Sequence, residues 1–249
     1  MSSTITMIND LEKIARETET DKWQHEYTNY YSLWFEPIRY DELKILEIGV
    51  YTGASIRMWE RYFPNSKIYG VDNGTICSKE TMNKLKSDRV ITEYIDQSSR
   101  ESLQEFIDTH GGEFDIILDD GFHYQEHQQV SWGFLFPHLK KGGLYIIEDI
   151  ILPRKRYRGE GIPEFLPEGE DGKWGIQDTD NFTDLTLNVL IDLVANNKLH
   201  SPYMTENEIK YIEDNIGSHD NLSIRMITKG SASFAAIKKS GDGTFNHIS

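Results

Sequence analysis

The sequence predicts an α/β fold, in which a doubly wound, mostly parallel sheet is followed by a C-terminal antiparallel hairpin. Short apolar strand patterns alternate with amphipathic helix patterns over the first 150 residues, and this alternation is typical of a parallel sheet covered by helices on both faces. Two further strand patterns, 222–228 and 233–239, are separated by a short segment containing Lys229 and Gly230. That spacing suits an antiparallel hairpin.

The composition indicates a globular chain without an affinity for anionic polymers. The 249 residues include 38% hydrophobic and 12% aromatic side chains, which is enough for a full core. The formal net charge of −15 argues against non-specific binding to nucleic acid or anionic membranes. Cys77 is the single cysteine, so no disulfide forms within the chain. We expect a cytoplasmic protein, since neither a signal peptide nor a bilayer-long apolar stretch is recognisable.

The N-terminal segment, 1–40, combines a short amphipathic helix at 8–19 with an aromatic-rich stretch at 20–35. The aromatic residues of that stretch are Trp23, Tyr27, Tyr30, Tyr31, Trp34 and Phe35. One interpretation is a helix packed on the core. The other is a flap over a bound ligand, in which tyrosines contribute both a ring face and a hydroxyl. The remaining residues, 41–249, are predicted to form one domain.

The first strand of that domain, 44–50, leads into a glycine-containing turn and a helix. Gly49 and Gly53 allow a ligand to approach the backbone, and the N-terminus of the following helix carries positive potential. The pattern is not G-x-G-x-x-G. Glu47 at the strand end would repel a pyrophosphate and attract an ammonium group, which favours a cofactor that carries an amino group over NAD.

The next two strand patterns also end in polar residues. The strand 67–72 ends at Asp72, and with Asn73 it suits the binding of ribose hydroxyls. The strand 89–95 is followed by three residues that could reach a nucleobase: Asp96, Gln97 and Ser98.

Two later strands each end in a pair of carboxylates. The stretch FDIILDDGFH ends with Asp119, Asp120 and then His123, and GLYIIED ends with Glu148 and Asp149. Ligands bind at the carboxyl edge of open α/β sheets. Asp120, Glu148 and Asp149 are therefore candidate Mg²⁺ ligands, and His123 is a candidate base. The alternative is that these residues serve only as turn and helix-capping residues.

The helix pattern 124–140 lies between these strands, and its His127 and His138 are interpreted as structural or surface residues. After Asp149 the periodicity stops, and 151–181 is predicted to be a lid-like insertion. Its basic cluster is either a solvated charge run or a clamp for a phosphate-bearing substrate, with these candidate residues: Arg154, Arg156 and Arg158. Two helices, 182–196 and 204–215, precede the hairpin.

These motifs resemble those of class I S-adenosylmethionine-dependent methyltransferases over residues 20–240. The shared stretches are ILEIGVYTG, YGVDN, DQS and FDIILDDGFH. DKW-x-HEYT, GAS-x-RMW, DDG-x-H and GGLYIIED are similar to stretches of the metal-dependent sugar O-methyltransferases of macrolide and polysaccharide biosynthesis. The resemblance implies a Rossmann-like, seven-stranded sheet whose last strand is antiparallel.

The resemblance also implies a role for each matching residue. Glu47, the turn and Ser55 would hold the methionine part of the cofactor, and Asp119 its amino group. Magnesium would be held by Asp120, Glu148 and Asp149, with Asp120 and His123 as catalytic residues. The complete set of predicted cofactor-binding residues is Tyr27, Glu47, Gly49, Tyr51, Gly53, Ser55, Asp72, Asn73, Asp96, Gln97, Ser98 and Asp119.

The expected reaction is metal-assisted O-methylation of a sugar hydroxyl, with S-adenosylmethionine as methyl donor and Mg²⁺ or another divalent cation as cofactor. The expected acceptor is a nucleotide-activated sugar or a glycoside of polysaccharide or natural-product biosynthesis, and the basic 151–181 stretch favours a nucleotide-activated sugar over a macrolide. Three alternatives stay open: an N-methyltransferase for a small phosphorylated amine, a dinucleotide-binding oxidoreductase, and a non-catalytic cofactor-binding protein. The expected partner is a small molecule, and the resemblance favours a homo-oligomer.

Overall fold

A computed structural model describes residues 9–150, 185–216, 224–229 and 232–245. The predicted insertion at 151–181 lies outside the described residues, and so do Arg154, Arg156 and Arg158. Their predicted roles stay predictions.

Seven strands form one sheet in the order β3-β2-β1-β4-β5-β7-β6. The strands are β1 (Lys44–Ile48), β2 (Lys67–Asp72), β3 (Val90–Tyr94), β4 (Phe114–Asp119), β5 (Leu139–Glu148), β6 (Ile224–Lys229) and β7 (Ala232–Lys238). The first five pair in parallel, and β7 is antiparallel to both β5 and β6. The predicted fold class is confirmed, including the C-terminal hairpin.

Eight α-helices connect and cover the strands in the described ranges. They are α1 (Asp10–Thr18), α2 (Tyr27–Phe35), α3 (Ala54–Tyr62), α4 (Lys79–Leu85), α5 (Arg100–His110), α6 (Gln125–Leu135), α7 (Thr186–Asn196) and α8 (Glu206–Asn215). The helix predicted at 124–140 is too long. It ends at Leu135 and passes into a 3₁₀ turn that contains Pro137, which has no amide hydrogen for a helical bond. Within the described ranges, no helix combines the length and apolar character needed to cross a membrane.

The strands carry apolar side chains on both faces, because helices cover the sheet on both sides. Ile116 and Ile146 belong to one buried cluster, together with side chains of α1 to α4. Their neighbours Ile117 and Ile147 belong to a second cluster, with side chains of α5 to α8. This alternation along single strands is the basis of the doubly wound architecture.

The aromatic N-terminal segment packs on the core. Tyr27, Tyr31, Trp34 and Phe35 of α2 are all buried, and the rings of the first three surround Phe234 of β7 at centroid distances of 5.3 to 5.7 Å. Of the two interpretations of this segment, the structure supports the core helix. The hydroxyl groups of Tyr27 and Tyr31 nevertheless reach the carboxyl edge of the sheet.

Candidate active site

A cavity of about 570 Å³ opens at the carboxyl ends of the parallel strands, beside the point where the strand order reverses between β1 and β4. This is the place where open α/β sheets bind ligands. The lining includes the β1–α3 turn, the end of β2, and the segment that follows β4. A short N-terminal stretch, Glu19, Thr20 and Asp21, also contributes to the wall.

The β1–α3 turn owes its shape to two glycines and one carboxylate. Gly49 has a φ of +95°, and a Cβ there would lie 2.0 Å from the carbonyl oxygen of Asp120. Gly53, with a φ of +78°, precedes the first residue of α3. The carboxylate of Asp72 accepts hydrogen bonds from the amides of Val50 and Tyr51 at 2.9 and 3.2 Å. The turn is thereby held against the ends of β2 and β4.

Glu47 lies behind this turn and is fully buried. Ser55 donates a 2.8 Å hydrogen bond to Oε2 of Glu47, and the ammonium nitrogen of Lys22 lies 3.3 Å from Oε1. Burial raises the pKa of Glu47, while the Lys22 charge works to lower it. In this structure the ammonium beside Glu47 is that of Lys22, and the predicted attraction of Glu47 for the amino group of a cofactor stays a prediction.

Asp120, His123 and Asp149 come together on one wall of the cavity. One potential ligand atom from each lies within 4.8 Å of the others, and this is the only such group of three in the described parts of the chain. The two carboxylates follow neighbouring strands, β4 and β5. Two carboxylates and an imidazole at this spacing can hold a divalent cation.

His123 and Asp149 both adopt the left-handed backbone region, with φ of 56° and 55°. Non-glycine residues in this region are uncommon, and they concentrate at functional sites. Nε2 of His123 lies 3.5 Å from Oδ2 of Asp149, and Nδ1 of His123 is buried without a hydrogen-bond partner. Tyr27 donates a 2.8 Å hydrogen bond to Oδ1 of Asp149, which orients this carboxylate toward the histidine.

Glu148 faces a different set of partners from its neighbour Asp149. Its carboxylate accepts hydrogen bonds from Lys22 at 2.8 and 2.9 Å and from the hydroxyl of Tyr31 at 2.7 Å. Burial and then the charge of Asp120 raise the pKa of Glu148 in spite of the Lys22 ion pair. Glu148 is therefore not part of the Asp120, His123 and Asp149 group, and its predicted role as a metal ligand stays a prediction.

Asp119 is fully buried beneath the cavity. It accepts a 3.1 Å hydrogen bond from Gln97 and a further one from Ser131, and burial raises its pKa to about 6. These hydrogen bonds hold the Asp119 carboxylate in place next to the loop that follows β4. The predicted contact of Asp119 with a cofactor amino group stays a prediction.

The predicted site residues fall into two groups in the structure. Those that line the cavity are Gly49, Tyr51, Ser55, Asp72, Asn73, Gln97, Asp120, His123 and Asp149. Those that are outside the lining are Tyr27, Glu47, Gly53, Asp96, Ser98, Asp119 and Glu148. Asp96 is exposed and Ser98 is half-buried, and the amide and hydroxyl of Ser98 both donate to the Asp96 carboxylate.

Sequence reasoning missed Lys22 and Tyr31, which reach the same acids from the N-terminal segment. Tyr27 and Tyr31 are four residues apart, and this spacing places two hydroxyls on one face of a helix. That spacing, together with a lysine in the DKW stretch of an acidic chain, is the signal that could have identified them.

Comparison with known families finds a similarity over the central part of the chain. A family profile described as a methyltransferase domain matches residues 46–150, which span β1 to the end of β5 and include both carboxylate pairs. Residues 46–150 are thus similar to a methyltransferase domain.

The chain is similar in fold to MycE, the methyltransferase of mycinamycin biosynthesis, solved in complex with Mg, SAH and mycinamycin VI. The TM-score is 0.65 at 28% sequence identity, over 94% of this chain and 55% of the MycE chain. A second MycE structure, with Mg and SAH, has a TM-score of 0.63 at 28% identity and covers 93% of this chain and 55% of that one.

The curated relatives that match the chain are O-methyltransferases by name. Demethylmacrocin O-methyltransferase of Streptomyces fradiae is 36% identical over 150 residues, and mycinamicin VI 2''-O-methyltransferase of Micromonospora griseorubida is 37% identical over 150 residues. Each alignment covers 57% of this chain and 36% of the relative. The matched part thus spans about a third of the length of these relatives.

Proposed function

We propose that this chain transfers a methyl group from S-adenosylmethionine to a sugar hydroxyl, with the help of a divalent cation. The observation that carries the proposal is the shared cavity. The glycine turn with Asp72 and the group formed by Asp120, His123 and Asp149 line the same space of about 570 Å³. A methyl donor and an acceptor hydroxyl can therefore meet there.

The cavity suits a nucleoside with an amino acid side arm in size and in lining. Its volume lies in the range of small-molecule sites. Ile95 and Phe122 supply apolar walls, while Gln97 and Asn73 supply polar groups. Asp72, at the end of β2, is at the position that binds ribose hydroxyls in nucleotide-binding sheets. S-adenosylmethionine, once bound here, would present an electrophilic methyl group on its sulfonium.

The acidic group also suits a divalent cation. Asp120 and Asp149 would hold it, because magnesium is commonly bound by one or two carboxylates together with substrate oxygens. The cation would supply a Lewis acid that lowers the pKa of the acceptor hydroxyl. MycE, which has the same fold, was solved with Mg and SAH, and this supports the assignment.

His123 is the proposed base that takes the proton of the acceptor hydroxyl. Its ring lies on the cavity wall, with Nε2 3.5 Å from Oδ2 of Asp149. The negative charge of this carboxylate would stabilise the imidazolium that forms when His123 takes the proton. Tyr27 keeps the Asp149 carboxylate in place through its 2.8 Å hydrogen bond. The residues of this chain thus orient the base and stabilise its charged form.

The acceptor we propose is a sugar that is attached to a nucleotide or to a larger glycoside. The names of two other relatives include a glycosyl group, L-olivosyl in one and alpha-L-rhamnosyl in the other, which supports a sugar hydroxyl. A nucleotide-activated sugar would suit the basic stretch at 151–181, because guanidinium groups match phosphate oxygens. A panel of nucleotide-sugars, rhamnosides and phosphorylated amines separates this acceptor class from the N-methyltransferase alternative.

The first experiment is titration calorimetry with S-adenosylhomocysteine and with NAD, each with and without Mg²⁺. We expect micromolar binding of S-adenosylhomocysteine and no binding of NAD. Binding of NAD alone would contradict the methyltransferase proposal, and binding of neither would favour the non-catalytic alternative. Methyl transfer to the panel is then followed with and without excess EDTA, and full activity in EDTA would remove the cation from the mechanism.

The His123→Ala variant tests the base. We expect it to lose methyl transfer by about 10²–10⁴-fold, the usual contribution of a positioned base, while binding S-adenosylhomocysteine as the wild type does. His200→Ala is the matched control, because the His200 side chain is 75% exposed and far along the chain in the α7–α8 loop. Activity of His123→Ala close to that of the control would refute the assignment.

A further inference from the structure

Gln97 lies on the cavity wall with most of its side chain buried. It is only 6% exposed, and it lines the cavity beside Gly121 and Phe122. Asp96 and Ser98 are outside the lining, and Ser98 donates two hydrogen bonds to Asp96. Of the three residues that the sequence predicts near a nucleobase, Gln97 is therefore the one that a ligand in this cavity meets.

Two neighbours fix the orientation of the Gln97 side-chain amide. Its Nε2 donates a 3.1 Å hydrogen bond to Oδ1 of Asp119, and its Oε1 accepts a 3.0 Å hydrogen bond from the backbone amide of Phe122. An ionised carboxylate only accepts hydrogen bonds, and a backbone N–H only donates them. Turning the side-chain amide over would therefore set acceptor against acceptor at Asp119 and donor against donor at Phe122.

Asp119 can hold the amide firmly because the carboxylate is itself held. It is fully buried, and besides Gln97 it accepts hydrogen bonds from the Ser131 hydroxyl and, at 3.4 Å, from the amide of Gly121. Asp119 does not line the cavity. In this structure it acts on the cavity through Gln97.

The fixed amide keeps one hydrogen on Nε2 and one lone pair on Oε1. A primary amide has two of each, and among the described residues the second of each has no partner. A neighbouring donor and acceptor match a 6-aminopurine, in which an amino hydrogen lies next to a ring nitrogen, and glutamine recognises adenine in this way in DNA. A 6-oxopurine would place its oxygen against Oε1, and the fixed amide cannot turn to avoid it.

We propose that Gln97 selects a 6-amino over a 6-oxo purine in the bound cofactor, and that Asp119 is the positioning residue that keeps Gln97 in the selective orientation. The inference rests on the S-adenosylmethionine site of the proposed function. A site built to hydrogen-bond a group of its ligand rejects the analogue without that group, because its buried polar atoms are then left unpaired. The buried amide of Gln97 meets this condition.

The test compares S-adenosylhomocysteine with S-inosylhomocysteine, its 6-oxo analogue, by titration calorimetry of the whole chain. We expect the wild type to bind the first at least about tenfold more tightly. Gln97→Met keeps the length of the side chain and removes both polar atoms, so the ratio of the two affinities should fall below about threefold. Equal affinities in the wild type, or an unchanged ratio in Gln97→Met, would overturn the proposal.

The ratio of affinities is the decisive quantity, because a general loosening of the cavity weakens both ligands alike. Gln104→Met is the matched control. Gln104 is an exposed glutamine that also donates to an aspartate, Asp108, and this variant should keep the wild-type ratio.

Two variants of Asp119 test its positioning role. Asp119→Leu cannot accept the hydrogen bond from Nε2, so the ratio should fall although Gln97 is unchanged. Asp119→Asn should keep the ratio, because its amide oxygen can still accept from Nε2 and the Ser131 hydroxyl can act as donor or acceptor. A ratio that is kept in both variants, or lost in both, would overturn the positioning role.

Gly121→Ala keeps the test decisive should Gln97→Met or Asp119→Leu fail to fold. A Cβ at this position would lie 1.9 Å from Oε1 of Gln97, so it displaces the amide without removing it. We expect the ratio of affinities to fall in this variant as well, and an unchanged ratio would contradict the proposal.

The outcomes separate this inference from the proposed function. Selective binding of S-adenosylhomocysteine that depends on Gln97, with no methyl transfer to any acceptor of the panel, would refute the proposed reaction and leave the role of Gln97 standing. Methyl transfer from S-adenosylmethionine, with equal affinity of the wild type for the two homocysteine compounds, would do the reverse.

Discussion

Gly121→Ala is a small change with a large expected effect at the candidate site. The backbone of Gly121 is outside the left-handed region, so an alanine is compatible with its conformation. The added Cβ would lie 1.9 Å from Oε1 of Gln97, and the Gln97 side chain must therefore move. That side chain is only 6% exposed and is bonded at both ends.

The cost follows from the two hydrogen bonds that Gln97 gives up. Its Nε2 donates to the buried carboxylate of Asp119 at 3.1 Å, and its Oε1 accepts from the amide of Phe122 at 3.0 Å. A bond to a charged group contributes about 1.5–3 kcal/mol and a neutral one about 0.5–1.5 kcal/mol. We therefore expect Gly121→Ala to lower the free energy of unfolding by about 2–4 kcal/mol.

Urea unfolding of Gly121→Ala, Gln97→Ala and the double variant measures this coupling. In the Gln97→Ala background the three atoms nearest to the added methyl group are gone, so Gly121→Ala should cost less than about 1 kcal/mol there, and the two changes should not add. A cost that is the same in both backgrounds, or one below about 0.5 kcal/mol in the wild type, would refute the reasoning. Calorimetry with S-adenosylhomocysteine should show a parallel loss of affinity in Gly121→Ala, since Gln97 and Gly121 both line the cavity.

Two further predictions concern stability. Burial works to raise the pKa of Glu208, but its hydrogen bonds from Arg100 and Thr205 outweigh this and lower the pKa below its ordinary value of 4.5. The stabilisation by these bonds is therefore present above that value and is lost as the pH falls through the folded-state pKa of Glu208. In a series of urea unfolding curves at different pH values, Glu208→Gln should lower the free energy of unfolding by about 1–2 kcal/mol at pH 7 and by almost nothing at the acid end. The same cost at both ends would contradict the charge argument. Phe234→Ala should lower the free energy of unfolding by about 3–5 kcal/mol, because the Phe234 ring of β7 is fully buried against aromatic side chains of α2. Leu33 of α2 is 70% exposed, so the control Leu33→Ala should change the free energy of unfolding by less than about 0.5 kcal/mol.

The parallel sheet was predictable because each of its strands has a local signal. β2 was predicted at its observed bounds, Lys67–Asp72, since an apolar run with an acid at its end is a property of neighbouring residues. The boundary errors arose where local signals conflict. The spacing of hydrophobic residues over 124–140 predicts one continuous helix. In the structure a turn with Pro137 follows the helix, and β5 begins at Leu139. Strand pairing provides hydrogen bonds there that periodicity alone does not reveal.

The candidate site was predictable in its residue types and less so in its partners. Asp120, His123 and Asp149 were identified because strand-end carboxylates in a parallel sheet must lie at one edge, and this edge is where the structure brings them together. The role of Glu148 depends on which side its carboxylate faces. That direction is decided by Lys22 and Tyr31, which are more than a hundred residues away in the chain.

The sequence by itself determined the α/β architecture, the glycine turn, and the edge of the sheet at which the acids collect, because these follow from periodicity, backbone conformation and the rule that parallel strands share one carboxyl edge. Only the tertiary structure decided which carboxylates pair with the Lys22 ammonium and which one lies beside His123. A buried charge takes whichever partner the packing of distant segments brings within a few ångströms, and here the N-terminal segment brings Lys22 to Glu47, Asp120 and Glu148 while leaving Asp149 with His123 and Tyr27.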